Sequence, residues 1–177
     1  MKQLSLLVLL SFLFSSSNGQ APSLTSAKAV IVLKEQAIKL ADALKNRDCD
    51  AYMVYQHPNA IRLLGGRQSA VEKIKQGWNK AEEDSIRFLS ITVGEPSKMI
   101  SVKEELQTTM PQTMEMKVKA TRVIIKTTLV CISLDGGNHW YFVDAFRKNF
   151  QIMKSVLPTL SEEIVIPPDT PPQVLKN

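Results

Sequence analysis

Two cysteines, two histidines and seven glycines are all that 177 residues supply of the types on which metal centres and phosphate loops are built. Cys49, Cys131, His57 and His139 stand at scattered positions with no zinc-ligand spacing, so no metal is expected. No Gly-rich phosphate loop, no cofactor fingerprint and no Ser-His-Asp order is present, so no cofactor is expected either. Long apolar runs are also missing: the longest, Leu4 to Phe14, is about 11 residues where a membrane-crossing helix needs about 20. The net charge is +5, but the basic residues are spread along the chain and not gathered into runs. That gives little electrostatic reason to expect a nucleic-acid partner.

What is present begins with an address. "MKQLSLLVLLSFLFSSSNGQA" has one lysine, an apolar stretch, then small and polar residues around Asn18 and Gly19, the pattern of a secretory signal peptide over 1–19. No cysteine sits near the expected cleavage point, which disfavours a lipoprotein anchor, so a soluble exported chain, periplasmic or extracellular, is expected without stable membrane insertion. The roughly 155 residues that remain suffice for one domain with a real core. An oxidising compartment permits a Cys49–Cys131 bridge, but Cys131 lies in an apolar strand, where a buried free thiol behaves as a small hydrophobe, so free thiols are the leading expectation.

Apolar residues recur at Val30, Leu33, Ala37, Leu40 and Leu44, with Ile31, Ile38 and Ala41 widening the stripe. This predicts a long helix over 23–47, capped by Ser23 or Thr25. A short helix through Ala51–Tyr55, capped by Asp50, should stop before Pro58, and an extended piece is expected from Ile61 to Leu64. Ser69-Ala70-Val71-Glu72 reads as a capping box opening a further helix to about Glu83. After Asp84 the period becomes alternating. Strands are expected over 88–93, 99–109, 114–118, 121–134 and 140–145, then a short amphipathic helix through Phe146, Phe150, Met153 and Leu157. The last stretch, 161–177, has four prolines in six residues from Pro167 and reads as an extended tail.

The turn between the last two long strands, "SLDGGNHW", fits Ser133-x-Asp135-x-Gly137-x-x-Trp140 and resembles the Asp-box of sialidases. In those enzymes the motif is a hairpin device away from the catalytic site. A propeller also needs several blades of about 40 residues, and no internal repeat is present. The motif therefore predicts a turn and not a glycosidase.

Three N-terminal helices ahead of an antiparallel sheet resemble the nuclear transport factor two-like superfamily, which includes SnoaL-like cyclases and ketosteroid isomerases. The resemblance rests on the first long helix, "DAYMVYQHPNAIRLLGG" with its following capped helix, and the hairpin ending "WYFVDA", and covers about Leu24 to Pro158. "YQHPNAIRLLGG", "PSKMISVKEELQTTMPQTMEM" and "HWYFVDA" are further similar to a group of secreted Bacteroidetes-type proteins without an assigned activity. The resemblance implies an α+β fold over 20–160, with helices packed on a strongly curved antiparallel sheet that forms a cone-shaped half barrel. Its mouth would hold a small molecule, or its sheet face would pair with a second copy.

An isomerase-like member needs an interior carboxylate and a hydroxyl or imidazole donor, since an apolar cone shifts pKa values toward the working pH. Asp144, Tyr55 and His57 are the catalytic candidates. Tyr52, Tyr55, Trp78, Met114, Met116, Trp140 and Phe142 are the candidate pocket residues. Each has a plain structural alternative: Asp144 as a turn or helix cap, His57 as the residue that sets the chain before Pro58, the tyrosines and methionines as core. Alternation does not tell which face of the Trp140–Asp144 strand points inward. The leading expectation is a non-catalytic exported domain that binds a small apolar or amphipathic ligand or a protein partner, including a homodimer. A proton-transfer enzyme using Asp144 and a structural or accessory envelope protein are the alternatives.

Overall fold

A computed structural model describes residues 24–175 of the chain. The expected signal peptide and Ser23 lie outside the described residues.

The first helix, α1 (Leu24–Asn46), buries Ala29, Leu33, Ala37, Leu40 and Ala41, a stripe at helical spacing whose alanines let the helix approach the sheet closely. The stripe is narrower than the sequence suggests: Ile31 and Ile38 are more than half exposed, at 59% and 52%. The helix ends in a Schellman turn. Asp48 N–H donates to the Ala43 carbonyl at 2.9 Å and Arg47 N–H to Leu44 at 3.2 Å, with Arg47 in the left-handed region at φ 56°.

Two short helices follow. α2 (Cys49–Val54) is capped by Asp48, whose carboxylate accepts from Ala51 N–H at 3.0 Å, so the cap is Asp48 and not Asp50. The piece expected to be extended is helix α3 (Pro58–Leu63). Proline disfavours helix in the residue before it, yet it is well suited to the first helical position, where its missing N–H costs nothing. Helix α4 (Arg67–Glu83) starts two residues before the apparent capping box. Ser69 is already inside it, its hydroxyl donating to the Leu64 carbonyl at 2.7 Å, while Glu72 accepts from Gln68.

The strands are β1 (Ile86–Val93), β2 (Ile100–Val102), β3 (Glu105–Val118), β4 (Thr121–Ser133), β5 (Tyr141–Asp144) and β6 (Gln173–Leu175). They form one six-stranded antiparallel sheet in the order β1-β3-β4-β5, with β2 on β3 and β6 on β4, and the sheet does not close. The strand expected over 99–109 is split by a turn at Lys103 and Glu104 into β2 and the start of β3, and β3 then runs on through Pro111 to take in the strand expected over 114–118. Proline is tolerated there because the Pro111 carbonyl accepts from Gly94 N–H, so the residue's missing N–H faces β1 and β2, and the ladder to β4 stays whole. The expected extended tail is docked at its end, where Gln173–Leu175 pair with β4.

Each face of the upper sheet is covered. Met110, Leu129, Cys131 and Phe142 pack with Trp140 against α1, while Ile100, Val130, Ile132 and Ala145 pack on the other face under helix α5 (Phe150–Val156) and the chain beyond it through Ile164. Gln107, fully buried, ties that C-terminal segment down: its amide donates to Thr159 and its carbonyl accepts from Ser161 N–H at 2.8 Å. Cys49, Met53 and Ala70 join the small helices into a third cluster with Trp78. Cys49 and Cys131 are both buried free thiols, in different clusters.

Candidate functional site

The hairpin between β4 and β5 sets the direction of the candidate residues. Ser133 Oγ donates to Asp135 at 2.9 Å and accepts from Gly137 N–H at 2.8 Å, while Asp135 Oδ1 accepts from the N–H groups of Asn138 and His139 at 3.1 and 2.9 Å. Although slightly desolvated, the Asp135 carboxyl is held below its usual range by these donors. Trp140 folds over the turn, fully buried, with its indole N–H on the Gly137 carbonyl at 3.2 Å. The motif forms the hairpin turn that its residues predict.

The turn fixes the register Cys131↔Phe142 and Leu129↔Asp144. Since alternate residues share a face, Phe142 and Asp144 lie with Cys131 and Leu129 on the side of α1. There they meet α2: Gln56 forms a bridge with Phe142, whose N–H donates to the Tyr55 carbonyl at 2.9 Å. Leu40, Leu44, Tyr52, Gln56, Gln112, Leu129, Phe142 and Asp144 line a small, partly open cavity of about 20 Å³. A single water needs roughly 10–15 Å³ and two to four polar partners, and this cavity offers a phenol, two amides and a carboxyl.

The electrostatics follow from burial. Desolvation raises the Asp144 carboxyl above its ordinary value, against the pull of Phe146 N–H, which donates to it at 2.8 Å, and of Lys148 and the Thr127 hydroxyl. Burial, with Asp144 nearby, pushes the Tyr52 phenol up to about 12, and a hydrogen bond with Gln56 partly offsets this. Tyr52 is therefore a neutral donor and Asp144 a carboxyl that gives up its proton reluctantly.

Tyr55 and His57, the donors expected from the sequence, are not in this cavity. Tyr55 is the C-cap of α2, off the helix, and its ring stacks on His139 at 5.9 Å. His57 caps α3, its Nδ1 accepting from Asn59 N–H at 3.2 Å, and meets the edge of Tyr141, which alternates to the opposite face from Asp144. Burial lowers the His57 pKa, against a smaller pull from Glu105. Trp78 meets Tyr52 edge to face at 5.7 Å, behind the cavity. Trp140 belongs to the turn. Met114 and Met116 share the helix side of β3 with Gln112 but lie one and two steps further along it, outside the cavity lining. The residues missed by sequence reading are Gln56, Gln112 and Thr127. Only the placing of amides amid apolar runs hints at them.

A second concavity, about 340 Å³, runs outside the sheet between α1 and β1, lined by Lys34, Ile38, Ala41, Asp42, Ile91, Thr92 and Val93. Lys34 spans one end through an ion pair with Glu95 at 2.6 Å. Among the described residues, no group of three or more His, Cys, Asp or Glu is placed to hold a metal, and no helix is long and apolar enough to cross a membrane. Comparison of the chain with models of known protein families, with curated proteins and with solved structures finds no match.

Proposed function

We propose that the chain is an exported, non-catalytic binding domain with the cone-like fold of the nuclear transport factor two-like superfamily, and that it holds a small apolar or amphipathic molecule in the groove between α1 and β1. The export half of this reading rests on the N-terminal sequence. The fold half is supported by the helix-then-sheet order and by the long β3–β4 pair whose inner face packs on α1. Volume and an apolar lining together carry the binding half: two other surface concavities, about 380 and 420 Å³, are larger but each carries three charged residues in its lining against two in the groove. At about 20 Å³ the interior has no room for a substrate, whereas the groove, at about 340 Å³, is ligand-sized. Ile38, Ala41, Ile91 and Val93 give it apolar walls, and Lys34 and Asp42 can orient a polar head at the rim.

Titration with the fluorescent apolar amine N-phenyl-1-naphthylamine and with laurate tests the reading. Saturable binding should weaken at least tenfold in Ile38→Asp, a substitution at an exposed position, and persist in Asp144→Asn. Binding lost in Asp144→Asn and kept in Ile38→Asp would move the site to the interior. No binding by the wild type, with Ile38→Asp turning a dimer into a monomer in light scattering, would replace the small ligand by a second copy.

A second reading, a proton-transfer enzyme, is motivated by Asp144, with its raised carboxyl, and Tyr52 lining one cavity, and it requires that cavity to widen well beyond about 20 Å³ to admit a substrate. Turnover of an enolisable ketone that is abolished by Asp144→Asn and unaffected by Ile38→Asp would establish it over the first.

A further inference from the structure

The basic residues that are scattered in the sequence are gathered by the sheet. In the β1–β3 register Arg87 lies directly opposite Lys117, and in the β3–β4 register Lys117 lies directly opposite Arg122. Three cations thus stand abreast across three adjacent strands, on the face opposite to Phe88 and Met116. Like charges in direct cross-strand contact oppose pairing, so sheet stability does not account for the row. Arg122 is neutralised by Glu115. Among the described residues, no carboxylate lies within ion-pair distance of Arg87, Lys117 or Lys119.

These three side chains do not point into open solvent alone. With Ser85 and Glu82 they line a pocket of about 200 Å³ where the α4–β1 corner meets the β3–β4 turn. Lys119 N–H donates to the Ser85 carbonyl at 3.0 Å, which pins the two corners together and gives the pocket a backbone floor. The one carboxylate in the lining, Glu82, is held by Arg47 at 2.6 Å and so is already compensated. What remains along the rim of this exposed concavity is a guanidinium, two ammonium groups and a serine hydroxyl, which is the donor set for a tetrahedral oxyanion.

We propose that this pocket is a binding site for a phosphate or sulfate group, with Arg87 the bidentate donor, Lys117 and Lys119 the point charges and the Ser85 hydroxyl a further donor. The site is independent of the α1–β1 groove and of the interior cavity, with which it shares no residue. The chain's net charge of +5 adds a general attraction for anions.

The test is calorimetric titration of the full chain with sodium phosphate and with sodium sulfate at constant ionic strength, with sodium chloride as the blank. Saturable binding is expected, at least tenfold weaker in Arg87→Gln and in Lys117→Gln. It should be unchanged in Lys126→Gln, an exposed cation of β4 outside the pocket. Phosphate should raise the thermal midpoint of the wild type and not of Lys117→Gln, which separates loss of the site from loss of the fold. Flotation with phosphatidylglycerol against phosphatidylcholine vesicles distinguishes the source of the anion. Vesicle binding that Lys117→Gln abolishes and Lys126→Gln leaves intact would identify a lipid headgroup, and binding of free phosphate alone a soluble ester. No saturable anion binding in either format, or equal weakening by Lys126→Gln and Lys117→Gln, would overturn the proposal.

Discussion

Gln36 on α1 holds Trp140 at the start of β5: its Oε1 accepts the Trp140 backbone N–H at 2.8 Å, while its Nε2 donates to the Asn138 carbonyl at 2.9 Å. One side chain satisfies a donor and an acceptor of the turn and anchors the hairpin to the helix 104 residues earlier in sequence. Gln36→Leu leaves both turn groups unpaired and should cost about 1–3 kcal/mol in urea unfolding. Gln36→Glu keeps the acceptor and should fall between the wild type and Gln36→Leu.

The two glycines of the same turn should differ. Gly137 has φ 96°, and a Cβ there would stand 2.5 Å from the Ala29 Cβ on α1. Gly136 has φ 73° but nothing within 4 Å of an added Cβ. Gly136→Ala should therefore cost only the left-handed backbone term, about 1–2 kcal/mol. Gly137→Ala adds overpacking against α1, for a total of about 2–5 kcal/mol. Equal midpoints for the two variants in chemical denaturation would contradict this.

Asp144 should make the fold less stable at neutral pH than an amide would. Its folded pKa is raised, chiefly by desolvation, so stability is greatest below the ordinary carboxyl range and falls as pH rises through the folded value. Asp144→Asn keeps an oxygen for the Phe146 N–H and removes the buried charge. A higher melting midpoint at pH 7, by about 2–4 °C for each kcal/mol relieved, is expected, with the gap closing below about pH 4. A midpoint below the wild type at pH 7 would show that the carboxylate is held by more than the structure accounts for.

His57 gives the opposite slope. Its folded pKa is lowered by burial, and protonating Nδ1 would also destroy the acceptor that caps α3. Stability should therefore be full above the unfolded value of about 6.5 and decline as pH falls from there through the folded value. His57→Asn retains a capping oxygen without the titration, so its stability profile should be flatter between about pH 6.5 and 5. Parallel profiles in thermal scans would mean that another group sets the acid limit.

Much of the architecture was legible because it is written locally. The 3.6-residue stripe of α1, the alternation after Asp84 and the Ser133–Trp140 turn depend on residues within a few positions of one another. The errors share a cause as well. Ser69 and Glu72 fit a capping box, but Gly66 had already turned the chain into α4 and the Leu64 carbonyl had taken the serine hydroxyl. Pro111 read as a strand break because the sequence does not say which way a residue's N–H faces, and only the pairing with β4 on one edge and Gly94 on the other makes it harmless.

The candidate site shows the same division. Alternation left the inward face of the Trp140–Asp144 strand open, and the β4–β5 register places Phe142 and Asp144 together on the α1 side. Of the two tyrosines named from the sequence, Tyr52 lines the cavity with Asp144 and Tyr55 does not. Tyr55 is three residues from Tyr52 in sequence, but it ends α2 as the C-cap and turns onto His139, leaving Tyr52 on the helix to face the cavity.

By itself, the amino-acid sequence determined the class of the fold, the order of its main helices and strands, and the shape of one turn, since capping, periodicity and turn chemistry act over a few residues. Tertiary structure alone decided that the interior narrows to about 20 Å³, that Tyr52 and not Tyr55 attends Asp144, and that Arg87, Lys117 and Arg122 stand in one row. Those outcomes depend on strand register and on how closely α1 approaches the sheet, distances set between residues far apart in the chain.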